Sequence, residues 1–202
     1  MTKKILITGI TGQVGSQLAD YVLDNTSYEV IGMMRWQEPM DNIYHLTDRI
    51  NRKDRITLYY ADLNDYSSLA RALKSIKPDF ISHLAAQSYP KTSFEIPIET
   101  LQTNIIGTAN LLEAVRQQKE ADDYSPTVHV CSSSEVYGRA KPGLPLDEDT
   151  PFHGASPYSI SPHRVYPAEM SARGVDLQDG PGRDVEPHVR DPHQEDERQG
   201  QD

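Results

Sequence analysis

Cysteine is almost missing from this sequence. Cys131 is the only one in 202 residues, so neither an intramolecular disulfide framework nor a cysteine-based metal site can be assembled. Excess positive charge is missing too: 20 Lys and Arg face 30 Asp and Glu, a formal charge of -10. A phosphate backbone needs clustered cations to displace its counterions, which argues against nucleic acid as a partner. No apolar stretch approaches the roughly 20 residues that span a bilayer. The start, Met1-Thr2-Lys3-Lys4-Ile5, runs straight into a strand-like segment with no apolar signal region and no small-residue cleavage site. These absences predict a cytoplasmic protein with no membrane partner and no metal.

What is present alternates. Short β-rich runs at Lys4–Thr8, Glu29–Met34, Ile56–Tyr60, Phe80–His83 and Val128–Ser132 are separated by helical patterns near Gln13–Leu23, Met40–Ile50, Tyr66–Ile76 and Phe94–Arg116. This alternation is the signature of βαβ units, a parallel sheet covered by helices on both faces. The expected fold is therefore α/β, a Rossmann-like doubly wound sheet, with five strands making up an incomplete version of it. Asp65 is placed to cap the third helix, and Lys77-Pro78 to stop it. Ser156-Pro157-Tyr158 reads as the start of another helix with Pro at its first position.

Thr8-Gly9-Ile10-Thr11-Gly12-Gln13-Val14-Gly15 follows the first strand and opens the first helix. Its three glycines suit a tight turn, close approach of a pyrophosphate to the backbone, and close packing of helix on sheet. The helix N-terminus offers free N–H groups and partial positive charge to the diphosphate. About 20 residues further on, where a carboxylate would meet an unphosphorylated ribose, stand Gly32-Met33-Met34-Arg35. No acidic side chain is in that stretch. An arginine suits a 2′-phosphate, because its planar fork of donors matches phosphate oxygens. The expected cofactor is NADP.

Four further segments carry a resemblance: Ala61-Asp62-Leu63, His83-Leu84-Ala85-Ala86-Gln87-Ser88, Asn104-Ile105-Ile106-Gly107-Thr108 and Ser132-Ser133-Ser134-Glu135-Val136-Tyr137-Gly138. With the glycine turn they resemble the extended short-chain dehydrogenase/reductases that modify nucleotide sugars. Within that group the sequence is similar to the GDP-mannose 4,6-dehydratases, including relatives acting on GDP-manno-heptose, from about Lys3 to Ser161.

The resemblance implies a lyase that converts GDP-mannose or a GDP-heptose to the 4-keto-6-deoxy sugar, in nucleotide-sugar metabolism. It implies cofactor contacts by Gly9, Thr11, Gly12, Gln13, Val14, Gly15, Arg35, Asp62, Leu63, Leu84, Ala85, Ala86, Ser88 and Tyr158. It also implies Tyr158 as the base for the C4 hydroxyl, Ser133 as its hydrogen-bonding partner, and Glu135 as the base at C5. A nucleotide-sugar reductase or epimerase is the alternative enzyme, and a non-catalytic NADP-binding interaction protein the alternative of another class. His83 and Cys131 are read as packed structural residues.

One departure bears on activity. The family places a lysine four residues after the tyrosine, and this sequence has Pro162 there. Without such a cation a phenol, with a pKa of about 10, is only about one-thousandth ionised at neutral pH. Proline inside a helix also removes a hydrogen bond and clashes with the preceding turn, at ~3 kcal/mol, so Tyr158 is expected to be displaced and activity impaired.

From Pro162 to Asp202 there is no Lys, Ile, Phe, Asn, Thr or Trp, and such a composition cannot offset its ordering entropy. The expected division is an NADP-binding domain over 1–161 and a disordered tail over 162–202. The break inside a helix points to a frameshift or truncation rather than a natural acidic tail. A substrate-binding domain is absent from this reading, and homo-oligomerisation through the long helix, plausible for the family, is doubtful here.

Overall fold

The computed structural model describes residues 2–122, 124–139, 145–147 and 149–165, with the backbone alone for 162–165. Five strands, β1 (Lys4–Thr8), β2 (Glu29–Met34), β3 (Ile56–Tyr60), β4 (Phe80–His83) and β5 (Thr127–Val130), form one sheet in the order β3-β2-β1-β4-β5. All neighbouring pairs are parallel. The chain leaves β1 toward one edge of the sheet and returns to build the other, so the switch point lies between β1 and β4. In such sheets ligands sit at the carboxyl ends of the strands at that point.

Alternation of side chains divides the core into two layers. Leu6, Ile31, Met33, Ile81 and Val128 pack under α3 (Tyr66–Ile76) and α6 (Gly107–Asp122) through Leu69, Leu73, Leu111 and Val115. Ile7, Val30, Met34 and Ile56 face the other way, onto α1 (Gln13–Asn25) through Ala19, Val22 and Leu23. Asp65 caps α3 as expected, accepting from the N–H groups of Ser67 and Ser68.

Three expectations are corrected. The fifth strand ends at Val130, so Cys131 lies beyond it and is exposed rather than packed. The helix expected near Met40–Ile50 is a 3-10 turn over Asp41–Leu46 followed by α2 (Thr47–Arg52). The long helix near Phe94–Arg116 is in pieces: α4 (Thr92–Glu95), α5 (Pro97–Leu101), a π-helical turn Gln102–Ile106, and α6. Pro97 cannot donate to a preceding carbonyl and starts α5, whereas a π turn accommodates an extra residue and frequently marks a functional position.

On the α1 side, the sheet beyond β1 carries no helix among the described residues. It forms an apolar groove of about 580 Å³ lined by Ile5, Val14, Leu18, Tyr28, Phe80 and Thr127 among others. Within it Tyr28 stacks on Phe80 at 5.6 Å.

Candidate functional site

The glycine turn folds as its spacing predicts. Gly9 has φ 71°, and a Cβ there would lie 2.9 Å from both the Cα and the N of Ala85, so only glycine permits the approach of the two loops. Gly15 sits against the Gly9 carbonyl and the Ile10 Cα, packing α1 onto the turn. No side chain caps α1 at Gly12, so the N–H groups of its first turn remain for a ligand. Asn42 donates to the Thr11 carbonyl at 2.7 Å and ties this turn to the segment after β2.

A cleft of about 410 Å³ opens over the carboxyl ends of β1, β2, β3 and β4. Of the expected cofactor contacts it brings together Gly9, Thr11, Gly12, Arg35, Asp62, Leu63, Leu84, Ala85, Ala86 and Ser88. Gln13, Val14 and Gly15 begin α1 behind the turn and do not line it. Tyr158 lines a smaller, adjoining cleft that shares Leu84, Ala85 and Ala86 and adds Cys131, Ser132 and Asn104.

Sequence reasoning missed several cleft residues, among them Glu38, Gln87 and Thr103. Gln87 has a buried Oε1 with no protein partner, an acceptor left open beside the cleft. Glu38 corrects the expectation that no carboxylate reaches the end of β2: its Oε2 accepts from the Arg35 backbone N–H at 3.0 Å.

Behind the cleft runs a buried polar chain. The Thr8 hydroxyl accepts from the N–H groups of Leu84 and Ala85, both at 3.1 Å, so its own proton goes to His83 Nδ1, 2.8 Å away. His83 Nε2 then carries the remaining proton and donates to Thr108 Oγ1 at 2.9 Å. Thr108 in turn donates to the Asn104 carbonyl at 2.7 Å. Burial, and secondarily the charge of His129, pushes the His83 ring down to about 4, which holds it neutral. Asn104, from the π turn, accepts from Gln87 N at 2.8 Å and donates to Gln87 O at 3.1 Å and Ser161 Oγ at 3.0 Å. One amide thereby fixes the 84–88 loop to α7 (Pro157–Val165).

Ser133 caps a 3-10 turn over Ser134–Tyr137 that contains Glu135, and its hydroxyl accepts from Glu135 N at 3.2 Å. Glu135 is exposed, and neither residue lines the cleft that Tyr158 enters. α7 passes through position 162 rather than ending there. The Tyr158 carbonyl, which a proline at 162 cannot bond, accepts instead from the Ser161 hydroxyl at 2.7 Å. Tyr158 lies beside the ends of β4 and β5.

The sequence profile of the GDP-mannose 4,6 dehydratase family matches residues 6–167. The chain belongs to the GDP-mannose 4,6-dehydratase family. It is 42% identical over 164 residues to GDP-mannose 4,6 dehydratase 1 of Arabidopsis thaliana, a match covering 79% of this chain and 44% of the plant protein. The chain thus spans under half the length of that relative. Among solved structures it resembles Thermus thermophilus UDP-glucose 4-epimerase in complex with NAD (27% identity, TM-score 0.67, 80% of this chain and 48% of that one). It also resembles RMD from Pseudomonas aeruginosa complexed with NADPH (29%, TM-score 0.59, 81% and 47%). Both the family match and α7 run past the domain boundary expected at Ser161. Residues 166–202, most of the expected tail, lie outside the described residues. No helix among the described residues is long and apolar enough to cross a membrane.

Proposed function

We propose that this chain is the dinucleotide-binding part of an NADP-dependent GDP-sugar 4,6-dehydratase, acting on GDP-mannose or a GDP-heptose. The observation that carries the reading is the glycine turn. Its close approach to Ala85 leaves no room for a Cβ, and its uncapped helix end opens on the cleft at the switch point, within a segment that matches the family throughout.

The residues present fit a nicotinamide dinucleotide. First-turn amides of α1 would meet the diphosphate, Asp62 and Leu63 would lie near the adenine, and Arg35, its side chain 60% exposed and paired with Glu38, would bind a 2′-phosphate once released from that pair. When bound, the dinucleotide supplies a hydride acceptor that later returns the hydride. In this reading Tyr158 takes the proton of the sugar C4 hydroxyl, and Ser133 hydrogen-bonds the C4 oxygen. Glu135 removes the C5 proton and delivers it to the departing C6 hydroxyl, and the proton held by Tyr158 makes up the one that C5 regains, so that the net change is loss of one water. Glu135 is exposed, on a turn that packs against α7, the helix whose first turn carries Tyr158.

Pro162 supplies no cation four residues after the phenol. We infer that the chain alone binds cofactor and turns over poorly. Calorimetric titration with NADP and mass spectrometry after incubation with GDP-mannose test this. Binding with little or no product lighter by one water is expected. Absence of binding to either nicotinamide dinucleotide overturns the reading, and rapid turnover overturns the inferred impairment.

A further inference from the structure

The turn after β2 is unusual in two respects that point the same way. Gln37 adopts φ 62°, a left-handed conformation that costs a side-chain-bearing residue energy and that persists only when its surroundings hold it. Glu38 does the holding. Its Oε2 accepts from the Arg35 N–H at 3.0 Å, its Oε1 lies 3.6 Å from Arg35 Nη2, and its own N–H donates to the Arg35 carbonyl at 3.4 Å. The carboxylate is thus folded back onto the residue that follows β2, where its side chain is 23% exposed against 60% for Arg35. It lines both the main cleft, with Gly9, Thr11 and Asp62, and an adjoining side cleft that contains Trp36, Tyr60 and Arg71.

Accepting the reading of the main cleft as a nicotinamide dinucleotide site, we propose that Glu38 is its selectivity-determining residue, opposing Arg35. An unphosphorylated adenosine ribose presents hydroxyl donors, which a carboxylate at the end of the second strand accepts. A 2′-phosphate presents only acceptors and negative charge, so Glu38 repels it and also competes for the guanidinium that would bind it. Arg35 alone would select strongly for the phosphorylated cofactor. The Arg35–Glu38 pair instead holds the site between the two dinucleotides, and NADP must displace the carboxylate before Arg35 can turn to it.

The test is calorimetric titration of the full chain and of E38Q with NADP and with NAD. The change removes the charge at nearly constant shape. Trp36, the only tryptophan, adjoins the pair and gives an independent fluorescence readout. E38Q is expected to tighten NADP roughly tenfold, the equivalent of 1.4 kcal/mol, and to weaken NAD several-fold. If E38Q does not fold, E38A tests the same claim, and adenosine 2′,5′-bisphosphate against 5′-AMP serves as the probe pair on either variant. An unchanged preference between NADP and NAD, with the wild-type chain binding at least one of them, overturns this inference alone. A folded wild-type chain that binds neither overturns the functional reading and the inference together.

Discussion

His83 is a histidine that the fold keeps uncharged. Thr8 gives its proton to one ring nitrogen, and Thr108 accepts from the other. With the native ring at about 4 and the unfolded one near 6.5, the unfolded chain takes up a proton between these values while the native chain does not. Stability is therefore expected to be complete above pH 6.5, to fall as pH drops from 6.5 toward 4, and to level off below that. The loss attributable to this ring is about 3 kcal/mol. Urea unfolding at a series of pH values checks it, and the slope across this window becomes shallower in His83→Gln. Gly9 offers a second test. Gly9→Ala meets the Ala85 backbone at 2.9 Å and a left-handed φ at once, for an expected loss of roughly 2–4 kcal/mol, read by thermal unfolding, together with loss of dinucleotide affinity. The glycine turn was legible because its conformation follows from local spacing. Glu38 was not: only the left-handed turn at Gln37 carries its carboxylate back beside Arg35, and chain distance from β2 hides that return.

At the scale of elements, all five strands were legible as short apolar runs, four of them with the boundaries that the structure shows. The long helix was not, because apolar periodicity does not register a π turn, and the π turn is what turns Asn104 to serve both Gln87 and Ser161. Position 162 shows a compensation that helix propensity alone misses. The proline removes a backbone donor, and the neighbouring Ser161 hydroxyl replaces it at the Tyr158 carbonyl. Ser161 is wholly buried, so Ser161→Ala leaves that carbonyl unpaired and takes an acceptor from Asn104. The expected cost is about 1–3 kcal/mol, measured as a lower denaturant midpoint, with Tyr158 less firmly held at the cleft.

For the molecule as a whole, strand order places the cleft. A sheet that grows outward from β1 on both sides has its crevice where β1 and β4 diverge, and most of the residues expected to contact a cofactor gather there because they sit just past the strand ends. The proposed catalytic trio rests on resemblance alone, since Ser133, Glu135 and Tyr158 come from a capped 3-10 turn and a helix start whose mutual placement no local pattern encodes. The groove over β4 and β5 has a practical consequence. Its lining of Ile5, Val14, Leu18, Tyr28 and Phe80 is a ready host for a solvatochromic dye such as anilinonaphthalene sulfonate. The folded protein is expected to light up that dye while keeping its near-ultraviolet circular dichroism, a combination that separates it from a molten globule. Dye fluorescence used as a folding screen would thus misreport the native chain as collapsed and unformed.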